Sequence, residues 1–158
     1  MGAGLVGLSL AGCRAAPPSK AETVFIDWLK IHVTVKGTNV HNPLPNTPET
    51  IRDGREAFSH YCVVCHGLDG QNTGVPFSAG LSPPAPSLAS RQVQRYTDGQ
   101  LKWVIENGLA PSGMPASHDV LSDDEMWAIV VYLRHLPAAG SLGDPPVYSG
   151  EGKGNGDE

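Results

Sequence analysis

The feature that most constrains this chain is the pentapeptide Cys62-Val63-Val64-Cys65-His66, a single C-x-x-C-H. That pattern is the sequence signal for covalent attachment of a c-type haem. Two thiols three positions apart reach both vinyl groups of one porphyrin from a single turn of chain. His66 follows with no spacer and brings an imidazole under the same ring, where it binds the iron from the proximal side. Two other readings of C-x-x-C compete. A structural zinc ion needs four N or S ligands, and the remaining cysteine, Cys13, lies far off in an apolar N-terminal run. A redox dithiol belongs in a strand-helix-strand context, and none surrounds residues 62–66. The haem reading leads, and the rest of the chain is read as packing around one covalent haem c.

The 158 residues allow one domain plus extensions, and 33 of them are Gly or Pro, crowded at the two ends and in one central loop. That crowding leaves a compact stretch at residues 53–137. A domain of this size buries only a modest core, so a large apolar ring would supply a sizeable share of it. Aromatic content of 6% fits a core whose largest flat group is not an amino acid. No basic cluster points to nucleic acid, and no run of apolar residues is long enough to span a bilayer. Charge is uneven: residues 53–137 hold nine Asp/Glu against five Lys/Arg, a net of −4. An acidic domain of this kind steers toward partners with basic docking surfaces, in a salt-dependent way.

Residues 1–12 form a short apolar run ending in small residues, the shape of a secretory signal peptide. Leu10-Ala11-Gly12-Cys13 resembles the lipobox of bacterial lipoproteins, although no Lys or Arg precedes the apolar run. By that resemblance Cys13 becomes the lipidated N-terminus, and residues 13–52 become a lipid-anchored linker or arm. Each buried methylene of an acyl chain contributes about 0.8 kcal/mol, and more than one chain anchors stably. C-type haem is attached outside the cytoplasmic membrane, so export to the periplasmic side agrees with the haem motif. Val24, Ile26, Trp28, Ile31, Val33 and Val35 alternate with polar residues in two registers, which predicts a short β-like N-terminal arm. Gly37 to Thr47 reads as an irregular linker.

Three helices are predicted. Thr47-Pro48-Glu49 is a helix start running to about His60, with Ile51, Arg55 and Phe58 on one face and Gly54 as a flat spot for close approach. Thr97 to Gln100 is a capping box that opens a helix over 98–107, stopped by Gly108 and striped by Leu101, Val104 and Ile105. Ser122 to Glu125 is a second capping box, opening a helix to Leu136 with Met126, Ile129, Val130 and Leu133 at core spacing. Residues 67–96 are loop-rich, with a short helix predicted near Ser87 to Gln94. The Gly-, Pro- and acid-rich residues 138–158 have too few apolar side chains to fold and read as a disordered tail.

The second axial position decides between electron transfer and chemistry on a bound ligand. Gly113-Met114-Pro115 is the best source of that ligand, because proline stiffens the loop and glycine removes a side chain that would crowd the ring. Met126 sits at core spacing. His118, in a polar loop, His135, at a helix end, and an open sixth position remain as alternatives; His32, His41 and His60 read as solvated. His/Met ligation raises the haem potential and leaves no open site. No general base, carboxylate pair or activated nucleophile is evident.

The order helix, C-x-x-C-H-G, Gly/Pro loop, helix, G-M-P and final helix with Tyr132-Leu133 resembles a class I c-type cytochrome of the bacterial monohaem type, over residues 50–137. The resemblance implies an all-α cytochrome c fold in which the first and last helices cross, with Gly54 and Phe58 on one side and Tyr132 on the other. It also implies a partly exposed haem edge serving redox protein partners, with no small-molecule substrate. The leading expectation is an electron-transfer protein, not an enzyme: a tethered carrier, or the haem subunit of a larger respiratory or photosynthetic complex. The alternative is a haem enzyme or a gas or redox sensor in which Met114 is displaced.

Overall fold

The computed structural model describes residues 35–81, 83–109 and 112–149. Cys13, the apolar run before it and nearly all of the β-like arm lie outside the described residues. Within them the chain is helical: α1 Pro48–Tyr61, α2 Val63–His66, α3 Pro76–Gly80, α4 Arg91–Gln94, α5 Asp98–Asn107, α6 Asp123–Leu133 and α7 Pro146–Ser149. No strand occurs among them, only an isolated bridge between Leu109 and Met114. This is the all-α architecture expected from the sequence. No helix among the described residues is long and apolar enough to cross a membrane.

Local signals set the three long helices. Thr47 Oγ1 accepts from the Thr50 N–H at 3.2 Å, and Pro48 at the first position needs no amide partner of its own. Thr97 with Gln100, and Ser122 with Glu125, form reciprocal capping boxes at the starts of α5 and α6. Helix α6 stops at Leu133, earlier than expected: the amides after it reach back only three residues, His135 to the Tyr132 carbonyl at 2.8 Å and Arg134 to the Val131 carbonyl at 3.1 Å, and the capping residue is Arg134. Its guanidinium donates to Asp98 Oδ1 at 2.8 and 3.0 Å, to the Tyr96 carbonyl at 2.6 Å and to Gln94 at 3.0 and 3.1 Å. One half-buried side chain thereby ties the end of α6 to the start of α5.

The core lies where α1 crosses α6. Helix α6 is buried on every side from Met126 to Leu133, so it carries no polar stripe and acts as the central post of the domain. Helix α1 lays Thr50, Gly54, Ala57 and Phe58 against it. This corrects the expected face: Arg55 is exposed and Ile51 only half-buried, while Thr50 and Ala57 flank Gly54 at helical spacing. A Cβ on Gly54 would strike the Ala128 carbonyl oxygen and come within 3.0 Å of Tyr132 Cβ. The backbones therefore meet at a distance that only glycine permits. One turn on, the Phe58 and Tyr132 rings pack with centroids 5.3 Å apart and planes tilted by 58°, a favoured aromatic geometry.

Both flanking segments dock on this core. Val35 is buried, and Asn42 Nδ2 donates to the Trp127 carbonyl at 3.1 Å, so residues 35–47 are irregular but held against α6. The disordered-tail expectation is corrected for residues 138–149, which run back over the loop after His66 and end in α7. The missed feature is Asp69, which is fully buried and accepts from the Gln71 N–H at 2.8 Å, the Gly140 N–H at 2.7 Å and the Thr73 hydroxyl. Tyr148 donates its hydroxyl to the Val64 carbonyl at 2.8 Å. Polar anchors and buried Pro145, rather than a run of apolar side chains, hold this strap. A hydropathy reading does not detect them.

Burial alone would raise the Asp69 carboxyl, but donation from Thr73, Gly140 and Gln71 outweighs it and holds the group below its ordinary range. The folded pKa is thus depressed, so this stabilisation is complete above the unfolded value and fades as pH falls through the folded one. Asp69→Asn should lower the stability of the holoprotein at neutral pH by about 2–3 kcal/mol, since its Nδ2 would meet the Gly140 N–H donor to donor. Thermal melts across pH check this. The variant should also lose less stability than wild type on acidification below about pH 4, and parallel pH profiles would contradict the assignment.

Candidate haem site

Helix α1 delivers the C-x-x-C-H turn. The Cys62 N–H still donates to the Phe58 carbonyl at 2.9 Å, closing α1, and Cys62 then opens α2. The Cys65 and His66 amides both return to the Cys62 carbonyl, at 3.2 and 2.9 Å, so Cys62, Cys65 and His66 belong to one tight turn. Gly67 caps it with a bond to the Val63 carbonyl at 2.9 Å. Neither thiol is in a disulfide.

The electrostatics of the turn separate the competing readings. Burial, and secondarily the neighbouring Cys65, pushes the Cys62 thiol up to about 12, and burial raises Cys65 as well. A reactive dithiol needs a thiol held low enough to ionise near neutrality, and these two are shifted the opposite way. Burial brings His66 down to about 4, so its imidazole is neutral at ordinary pH, the form that binds metal. Among the described residues no group of three or more His, Cys, Asp or Glu is arranged to hold a metal ion.

Met114 sits in a loop pinned from several sides. The Leu109 N–H donates to the Met114 carbonyl at 3.1 Å, and the Ser117 N–H donates to the Ile105 and Glu106 carbonyls at 3.1 Å each. Gly108, at φ 68°, lets the loop cross directly behind the end of α5: a Cβ there would lie 2.5 Å from the Met114 carbonyl oxygen and 2.8 Å from the Ala116 nitrogen. The helix-stopping glycine foreseen from the sequence therefore also seats the methionine loop.

Cys62, Val63, Leu88, Val93, Tyr96 and Met114 are all half-buried and pack against the same core cluster, which includes Phe58, Leu101, Ile105 and Ile129. A flat apolar ring suits that lining, and a neutral imidazole, a thioether and two thiols are the donors such a ring would use. The residues present fit a covalent haem c. The other sequence candidates lie elsewhere. Met126 is a core residue. His118 is exposed, with Nδ1 on the Glu106 carbonyl and Nε2 beside Asp119, both at 3.1 Å. His135 and His60 each place Nδ1 on their own helix, at 2.9 Å from the Val131 and Glu56 carbonyls.

Two features of the site were not anticipated. Asn72 holds φ at 63°, the one non-glycine in the left-handed region among the described residues. It also bridges the haem-motif turn to the proline-rich loop, with its N–H on the His66 carbonyl and its Nδ2 on the Ala85 carbonyl, at 2.8 and 2.7 Å. Second, Lys102, nearly buried, pairs with Asp123 at 2.6 Å and Glu106 at 2.9 Å, and so fastens α5, which carries the Met114 loop, to the start of α6.

Comparison with known proteins gives the family. Residues 49–133 match the family described as cytochrome c oxidase, cbb3-type, subunit III. The chain is 32% identical to cytochrome c6 of Euglena gracilis over 51% of its own length and 85% of that protein. It is 26% identical to the quinohemoprotein alcohol dehydrogenase ADH IIB of Pseudomonas putida over 62% of its length, but spans only 13% of that enzyme. A chain of the Kuenenia stuttgartiensis reducing HAO-like protein complex superposes with a TM-score of 0.50 at 23% identity, over 59% of this chain and 46% of that one, a likeness of fold. The chain belongs to the family of cytochrome c oxidase, cbb3-type, subunit III: a c-type cytochrome domain with an all-α fold and a covalently bound haem c.

Proposed function

We propose that this chain is a single-haem electron carrier, or the haem-bearing subunit of a larger oxidoreductase, in which the protein fills both axial positions of the iron. Cys62 and Cys65 would form the thioether links, and His66 Nε2 and Met114 Sδ would hold the iron. The observation that supports the reading is the Met114 loop, whose backbone is held by the Leu109 bond and the Gly108 crossing while Met114 packs on the same core cluster as Cys62.

Bound haem supplies a reversible one-electron couple, and His/Met ligation sets it toward the high end of the range. The chain's own residues do the rest. The neutral His66 needs no proton loss to bind the metal. The half-buried apolar lining keeps the surroundings of low polarity, which favours the less charged, reduced state. The crossed α1 and α6 hold the attachment turn still, so little reorganises when the charge changes. The enzyme and sensor readings require a thioether that leaves readily, and no observation of the Met114 loop favours that.

The acidic balance of residues 53–137 supports redox protein partners with a basic docking surface. The Leu10–Cys13 pattern supports export and a lipid anchor at Cys13, placing the domain on the periplasmic side of a bacterial membrane.

Reduced wild-type protein should bind carbon monoxide slowly or not at all, and Met114→Ala should bind it rapidly with its covalent haem intact. Rapid binding by wild type would sink the closed-iron reading. The rate of electron exchange with a basic redox protein should fall as the Debye length shrinks from about 30 Å at 0.01 M to about 10 Å at 0.1 M salt; a flat profile would remove the acidic face from the account. In a bacterial host, Cys13→Ser should move the protein from the membrane to the soluble fraction, and an unchanged distribution would rule out the lipid anchor.

A further inference from the structure

A cleft of about 410 Å³ opens where α1 faces Leu68, in the loop after His66, and Leu142, in the strap. Its size lies within the range of small-ligand sites, about 300–1,000 Å³. None of Cys62, Cys65, His66 and Met114 lines it, so the cleft is not part of the haem site. The strap wall is already in place. On one side of Leu142 the Gly140 N–H donates to the Asp69 carboxylate at 2.7 Å, and on the other Pro145 is buried.

The lining joins two kinds of chemistry. Its base is apolar: Phe58 is buried beneath it, and Leu68 and Leu142 are half-buried at its walls. Its rim is charged, with the Arg52 and Arg55 side chains three positions apart on one face of α1 and Glu56 as the single carboxylate. Arg52 shares its charge with Glu49 and Asp53, at 3.7 and 3.3 Å, in exposed pairs. Arg134 and Lys102 each hold carboxylates as well, whereas Arg55 makes no ion pair among the described residues. Its charge is felt at the Tyr132 hydroxyl, which donates to the Leu68 carbonyl at 3.2 Å, so the guanidinium lies toward the Leu68 wall.

We propose that this cleft binds a small amphipathic monoanion, a carboxylate on a short alkyl stem. The carboxylate pairs with Arg55, whose planar fork matches it in two parallel hydrogen bonds, and the stem lies over Phe58 between Leu68 and Leu142. One uncommitted guanidinium balances one negative charge. A dianion such as a phosphate monoester would need Arg52 too, and Arg52 is shared with two acids while Glu56 opposes further negative charge. Neither half of the ligand binds well alone. Arg55 is exposed, so a bare carboxylate gains little over its pairing with water, and a bare stem leaves the guanidinium unanswered. A ligand held in this way joins α1 to the strap and adds to the support of the loop after His66.

The test uses reduced holoprotein with carbon-13-labelled leucine methyl groups, titrated with sodium octanoate and, in parallel, with sodium acetate and 1-octanol. Octanoate should shift the Leu68 and Leu142 methyl signals saturably. Acetate, a head without a stem, and octanol, a stem without a charge, should each bind about tenfold more weakly or worse, as expected for loss of a charge-assisted contact or of the apolar burial. Arg55→Gln should weaken octanoate by about tenfold and leave octanol unchanged. Leu142→Asn should weaken both, with the Leu68 methyls as the reporter. No saturable shift at Leu68 and Leu142 would overturn the proposal. So would octanol binding as tightly as octanoate, or Arg55→Gln binding octanoate as wild type does.

Discussion

The domain depends on the close crossing of α1 and α6. Gly54 removes the side chain that would collide with the Ala128 carbonyl, and the Phe58–Tyr132 ring pair fills the space one turn further on. Everything that concerns the haem follows from that placement. Cys62 is the residue at which α1 ends, so wherever α6 holds α1, the attachment turn is held too. Helix α5 and its Met114 loop are referred to the same post, through Arg134 at one end of α6 and through Lys102 and Asp123 at the other.

This arrangement refers the attachment turn and the Met114 loop to one core. The core is a single cluster built on α6, and Cys62, Val63, Leu88 and Met114 are its half-buried margin rather than a separate layer. The chain flanking the helices adds to it through polar contacts. Residues 35–47 hang on Asn42, and residues 138–149 hang on Asp69 and Tyr148. The second of these straps crosses the loop that follows His66 and reaches the Val64 carbonyl between the two cysteines. The segment after α6 is therefore part of the haem site's support.

Much of this was legible in the sequence, and the reasons it was legible are local. Thr47-Pro48, the two capping boxes and Gly108 are short-range signals, and they mark three helix starts and one helix stop that the structure keeps. C-x-x-C-H carries its chemistry in consecutive residues, which the structure keeps in one turn. What was not legible depends on partners distant in the chain. Arg55 was placed on the inner face of α1 because Ile51, Arg55 and Phe58 share a helical spacing, yet Gly54 sets the axis of contact and turns Arg55 outward. The tie between the end of α6 and the start of α5 comes from Arg134 finding Asp98, Tyr96 and Gln94, 36 to 40 positions earlier. Asp69 looked like an ordinary loop acid, and Asn72 like an ordinary loop amide. Only the assembled fold shows one to be a buried anchor and the other a left-handed bridge next to the haem histidine.

The central claim is that the protein itself occupies both axial positions of the iron, so that the domain passes electrons and performs no chemistry on a bound ligand. The most direct measurement is the visible and far-red absorption spectrum of the oxidised holoprotein. The account predicts a low-spin ferric spectrum with the weak far-red charge-transfer band of methionine–iron ligation. A high-spin spectrum without that band would contradict it and leave the iron open to substrate or signal.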